Sequence, residues 1–159
     1  MLVGLDQWVK VWAVGALADG SIPVIPGLFY LTYLENTGAA FGIFQGRAFV
    51  LGLVSIVVLI GVVVVLFNSK VCSRVLIWGL ALIIAGGVGN LIDRMARGFV
   101  IDYLNFSALG GFPVFNLADC FVVVGTAMVV YYLLFLDGKK PAGNQPQEPQ
   151  EETEIGENN

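Results

Sequence analysis

The chain has 159 residues, 57% of them hydrophobic and only 13% charged, with a mean hydropathy of +0.83. That balance excludes an ordinary soluble domain and fits one compact membrane domain. The net charge of −4 misleads: Glu148, Glu151, Glu152, Glu154 and Glu157 lie near the C-terminus, and the rest carries about +1, so no charged patch points to nucleic acid.

The first apolar segment, residues 1–17, is short for a membrane helix and carries Asp6 and Lys10. The two are one helical turn apart, the spacing of a structural ion pair inside a bundle. The segment lacks a basic leader and a clear cleavage site, so it does not read as a removable signal peptide; either its amino end is clipped or the helix is shallow. Residues 21–46 differ in kind. Pro23, Pro26, Gly27, Gly38, Gly42 and Gly46 punctuate them, with Phe29, Tyr30, Thr32 and Tyr33 between. This predicts extended or β structure at the membrane interface, where aromatic rings are at home. Asn36-Thr37-Gly38-Ala39 within it has the composition of a turn.

Residues 48–67 contain no charge and form the clearest membrane-spanning helix. A third apolar segment, residues 75–92, turns polar and glycine-rich at its end, through Gly86-Gly87-Val88-Gly89-Asn90. Asp93, Arg94 and Arg97 follow. Spacings of three and four put Asn90, Asp93, Arg94 and Arg97 on one broad face if the helix continues. Two readings stay open: an ordinary Asp93–Arg97 surface pair, or a polar rim that binds peptide backbone and steadies nearby acids.

Asp102 lies in an apolar, strand-like run flanked by Val100, Ile101, Tyr103 and Leu104. A carboxyl at a membrane boundary is costly and reads as functional unless a partner such as Arg94 or Arg97 neutralises it. The fourth apolar segment, residues 117–136, opens on Asn116-Leu117-Ala118-Asp119. Asn116 has the position of an N-cap and Asp119 that of its reciprocal partner three residues on. Capping and catalysis are compatible, since a helix N-terminus favours the ionised carboxylate that a base needs. From residue 141 onward Gln, Glu, Pro and Asn dominate, and that tail is expected to be disordered.

The reading is therefore an all-α membrane protein with four transmembrane helices and a small extracytoplasmic β platform, the membrane domain covering 1–140 and the acidic tail 141–159. Four spans leave both termini on one side. Lys70, Arg74, Lys139 and Lys140 lie on that side, against Arg47, Arg94 and Arg97 on the other. The positive-inside rule then favours cytoplasmic termini and puts Asp102 and Asp119 at the extracytoplasmic face.

The chain contains no histidine. That excludes Ser–His–Asp and Cys–His nucleophile designs within one chain. The two cysteines, Cys72 and Cys120, are expected at opposite ends of the membrane, so neither a disulfide nor a metal site follows from them. What remains is a carboxyl pair, with three rivals. One is a Ser55–Lys10 dyad, another a small ion or proton carrier using intramembrane Asp and Arg, and the third a non-catalytic interaction subunit. No inverted repeat supports the carrier.

Asp6…Lys10, Asn36-x-Gly-Ala, Gly89-Asn90-x-x-Asp93-Arg94, Val100-Ile101-Asp102 and Phe115-Asn116-x-Ala-Asp119 occur in an order that resembles the lipoprotein signal peptidases, or signal peptidase II, over about residues 5–137. The last three motifs together are specific; no single one is. The resemblance implies a bacterial aspartyl endopeptidase of the inner membrane with four helices. Its substrates are diacylglyceryl-modified prolipoproteins, cut before the lipidated cysteine. It further implies Asp102 and Asp119 as the catalytic pair, with Asn36, Asn90, Arg94 and Asn116 contacting substrate or holding the pair. Asp6, Lys10 and Asp93 would be structural polar residues. Membrane lipid is the surrounding partner, a monomer is expected, and the chemistry needs no metal or other cofactor. Members usually carry more apolar residues ahead of the position of Asp6, and the acidic tail is outside the family pattern.

Overall fold

The computed structural model describes residues 1–38, 44–68, 73–106 and 109–136. Residues 39–43, 69–72, 107–108 and 137–159 lie outside the described residues, and with them the expectations for Cys72 and the tail.

Among the described residues, four helices and three strands follow one another: α1 (Leu2–Ala16), β1 (Ile22–Ile25), β2 (Phe29–Asn36), α2 (Ala48–Asn68), α3 (Arg74–Ala96), β3 (Val100–Asn105) and α4 (Leu117–Phe135). Three helices among the described residues are long and apolar enough to cross a membrane: α2, α3 and α4. The first helix is 15 residues, which at 1.5 Å per residue falls short of a ~30 Å hydrocarbon core. The third segment runs further than its apolar stretch suggested. It continues to Ala96, so Asn90, Asp93 and Arg94 are helical.

Helix α3 is the centre, packing against α4, α2, α1 and β3. Small residues let it approach α4 closely. A Cβ on Gly79 would lie 3.0 Å from the Gly125 carbonyl oxygen, and one on Gly86 would collide with the Ala118 carbonyl. Without a hydrophobic drive between helices in lipid, such backbone proximity is what holds them. The outward faces carry apolar side chains, Val57, Trp78, Val123 and Leu134 among them, as lipid-facing helices do.

The strands form one antiparallel sheet in the order β1-β2-β3. Helix α3 stops at Arg97, and Gly98, at φ +80°, turns the chain into β3. The inner face of the sheet rests on the second half of α1, where Ala13 and Leu17 pack with Ile101 and Tyr103. Antiparallel pairing sets Leu34 opposite Asp102 and Asn36 opposite Val100. Asn36 is thus diagonal to Asp102 on the same face, within reach of its side chain. After β3 the chain returns alongside itself: Phe115 N–H donates to the Leu104 carbonyl at 3.1 Å, and Leu104 N–H donates back at 2.8 Å. This short ladder sets Asn116 beside Asp102 just before α4 begins.

Candidate active site

Asp102, Asp119, Asn36, Asn90 and Arg94 line one cleft of about 600 Å³. Its remaining walls are apolar: Val100, the run Phe112–Phe115, and Val122–Val124 of α4, with Cys120 between. Asn116 lies just beneath, fully buried.

Each carboxyl is held by neutral donors. Asp102 Oδ2 accepts from Asn36 Nδ2 at 2.9 Å and its Oδ1 from Asn116 Nδ2 at 2.7 Å. Asp119 Oδ1 accepts from Asn90 Nδ2 at 2.7 Å and its Oδ2 from the Asn116 backbone N–H at 3.1 Å. Asn116 therefore touches both acids. Its side-chain oxygen also accepts from Asp119 N–H at 3.0 Å, which completes the capping box the sequence predicts. Among the described residues neither carboxyl makes an ion pair, so the alternative pairing of Asp102 with Arg94 or Arg97 is not what the fold uses. Arg94 instead reaches the Asn90 and Gly38 carbonyls, both at 3.5 Å, and turns its guanidinium to the cleft.

Burial pushes the Asp102 carboxyl up to about 6. Its hydrogen bond from Asn36 opposes that rise, the charge of Asp119 adds to it, and the bond from Asn116 opposes it again. A group poised there changes protonation near neutral pH, as acid–base chemistry requires.

Asp6, Lys10 and Asp93 form a second layer behind the cleft, all with no solvent exposure. Lys10 Nζ meets Asp6 at 2.9 Å, Asp93 at 2.8 Å and Asn90 Oδ1 at 2.9 Å, which uses its three hydrogens. Asp93 also pairs with Arg97 and accepts from the Ile101 backbone N–H at 3.3 Å. The surface-pair reading of Asp93 and Arg97 is thus corrected: Asp93 is buried because α1 and β3 both deliver donors to it. The Ser55–Lys10 dyad is absent too, since the Ser55 hydroxyl donates to the Leu51 carbonyl of its own helix at 2.8 Å.

The N-terminus of α4 has every early N–H satisfied. Leu117 N–H donates to the Tyr103 hydroxyl at 3.2 Å, Ala118 N–H to Asp6 at 3.1 Å and Asp119 N–H to Asn116. Tyr103, whose hydroxyl takes the Leu117 N–H, and Gln7 have roles that local pattern does not signal. Gln7 bridges Asp6, the Gly89 carbonyl, Asp93 and Arg97. Its only mark in the sequence is its position three residues before Lys10, in an apolar segment.

The profile of the family described as signal peptidase (SPase) II matches residues 1–135. The chain belongs to the signal peptidase II family. It is a membrane protease. The lipoprotein signal peptidase of Clostridioides difficile (strain 630) is 44% identical over 142 residues, covering 87% of this chain and 93% of that one. That of Clostridium novyi (strain NT) is 41% identical over 133 residues, covering 82% and 90%. Among solved structures, a bacterial membrane enzyme determined by the in meso method at 2.3 Å resolution superposes with a TM-score of 0.78, at 30% identity, covering 91% of this chain and 90% of that one.

Proposed function

We propose that this enzyme removes the signal peptide from diacylglyceryl-modified prolipoproteins, using Asp102 and Asp119 as a water-activating pair. The observation that carries the reading is the shared cleft. Two carboxyls open on one apolar-walled cavity, are bridged by a single residue, Asn116, and form no direct ion pair among the described residues. Close like charges make one of two carboxyls retain a proton. The ionised member takes a proton from water as the oxygen attacks the scissile carbonyl. The protonated member stabilises the carbonyl oxygen, and the proton returns to the leaving amine. Arg94, with its weakly engaged guanidinium at the rim, is placed to bind peptide carbonyls of the extended substrate. The apolar walls suit small side chains near the cut and lipid chains that stay in the bilayer.

The same reading takes α1 as a fourth membrane crossing. Its outer face carries Leu5, Trp8, Val11 and Trp12, all exposed, while Asp6, Lys10 and Ala13 face inward. Both termini are then cytoplasmic, with the sheet and cleft at the outer face of the bacterial inner membrane. A monomer holds every group the reaction uses.

The test is cleavage of a lipid-modified prolipoprotein beside its unlipidated form by purified enzyme in lipid. Asp102→Asn and Asp119→Asn each abolish processing while the protein remains folded. Near-normal cleavage by either variant would overturn the pair, and equal turnover of the unlipidated form would overturn the substrate class.

A further inference from the structure

The cleft holds two acids, but their surroundings are unequal. Asn90 Oδ1 accepts from Lys10 Nζ at 2.9 Å and from Asn116 Nδ2 at 3.1 Å, which fills both of its lone pairs. The amide therefore cannot turn round, and its Nδ2 is committed to Asp119. The other donor to Asp119 is a backbone N–H, which cannot turn either. Asp102 is held by neutral groups alone: Asn36 Nδ2 donates to it at 2.9 Å, with the Asn36 oxygen turned to the Gly38 N–H. Asn116 Nδ2 has two hydrogens for three acceptors: Asp102 Oδ1, the Asn90 oxygen and the Ile101 carbonyl. Asp102 has no backbone donor among the described contacts and no amide backed by a cation.

We propose that Lys10 is a positioning residue for catalysis: acting through Asn90, it fixes Asp119 as the carboxylate that takes the proton from water and leaves Asp102 as the acid. The inference rests on the aspartate-pair reading above. Water gives one hydrogen to Asp119 as its oxygen bonds to the scissile carbon. The Asp102 proton passes to the carbonyl oxygen, giving a tetrahedral diol. The C–N bond then breaks as Asp119 hands its proton to the amine and Asp102 recovers one from the diol, so both residues end as they began. A hydrogen bond to a charged donor chain stabilises the anion more than a neutral one does. The position of Asp119 in the first turn of α4 adds the helix dipole.

The charged and titratable groups facing Asp119 are Lys10 of α1, Arg94 of α3, Asp102 and Tyr103 of β3, and Cys120 of α4. Asp6 and Asp93 neutralise Lys10 from behind. Its charge is felt at both acids, whereas the bond through Asn90 reaches Asp119 alone, so that directed bond is what distinguishes the two.

The test uses full-length enzyme in lipid with a diacylglyceryl-modified prolipoprotein peptide, and measures kcat and KM against pH. Lys10→Met/Asp6→Asn removes one charge of each sign. It lowers kcat by about 100-fold, the scale of general acid–base assistance, with KM within about threefold. The acid limb of the kcat profile moves to higher pH, and moves further than the alkaline limb. Asn90→Leu breaks the relay but leaves Lys10 with both carboxylates, and it gives the same displacement. Combining the changes adds little, because both cut one path. A folded Lys10→Met/Asp6→Asn enzyme with wild-type kcat and acid limb overturns the proposal, as does full additivity with Asn90→Leu. If the Lys10 variant does not fold, an unmoved acid limb in Asn90→Leu alone overturns it. Residual cleavage by Asp102→Asn or Asp119→Asn would instead strike at the pair itself.

Discussion

Gly86→Ala is expected to damage catalysis from outside the cleft. Gly86 is buried on α3, one turn before Asn90, where the first turn of α4 crosses. A Cβ there would meet the Ala118 carbonyl oxygen inside any real contact distance, with Val122 Cγ2 at 2.9 Å and the Ala118 carbonyl carbon at 3.1 Å. The carbonyl is backbone and cannot rotate aside, so α4 must retreat by on the order of 1 Å, at a cost of ~1–3 kcal/mol for overpacking. The gain in helix propensity, about 1 kcal/mol, offsets only part of that. Asp119 is the next residue after Ala118, so it moves with the turn and away from Asn90. A displacement of that size costs roughly 100-fold in rate. Gly61→Ala is the matched control, since its Cβ would meet nothing within 4 Å. Thermal unfolding in detergent and kcat on a lipidated substrate check both variants. A Gly86→Ala enzyme with wild-type turnover would refute the argument that the α3–α4 approach sets the position of Asp119.

Three further outcomes follow from the same geometry. Tyr103→Phe leaves the Leu117 N–H without its acceptor and lowers stability by about 1–3 kcal/mol in a chemical or thermal melt, while KM stays unchanged. Asp93→Ala takes a buried carboxylate partner from Lys10, Arg97 and the Ile101 N–H, and costs about 3–5 kcal/mol, read as loss of folded enzyme on size exclusion. Asp102 makes stability depend on pH. Its value of about 6 in the folded protein lies above the ordinary 3.8, so the folded state holds the proton more tightly. The resulting stabilisation is complete below about pH 4 and is lost as pH rises through about 6, roughly 3 kcal/mol in all. Melting temperatures of wild type should fall across that interval relative to Asp102→Asn; parallel curves would contradict the assignment.

Local pattern carried much of this site. An uncharged run is enough to place α2, and Asn116 with Asp119 three residues on is enough to predict a capped helix start. The apolar flanks of Asp102 marked it as exceptional, since local sequence offers no other reason for a carboxyl there. What local pattern could not carry was partnership. Asp93 and Arg97 do pair at a helical spacing, yet Lys10, far away in sequence, decides that Asp93 is buried. The β2–β3 register that brings Asn36 to Asp102 depends on a sheet closed across α2 and α3. The apolar wall from Phe112 to Phe115 belongs to a loop with no periodicity to read. The length of α1 was visible too, but whether it crosses depends on its packing against α3, which hydropathy does not report.

The choice of amides around the two acids has a physical logic that a cation would defeat. An arginine or lysine paired directly with either carboxyl would favour ionising both, and two ionised acids leave no proton to donate. Asn36, Asn90 and Asn116 fill carboxylate lone pairs without adding charge, so mutual repulsion of the pair survives and forces an uneven share. The buried Lys10 and the half-buried Arg97 are held one layer back, where Asp6 and Asp93 balance them. Such a neutral layer costs desolvation energy that apolar packing would not, so its retention needs a reason beyond stability. The reason visible here is orientation: the layer fixes the Asn90 amide that holds Asp119 and caps the helix that carries it.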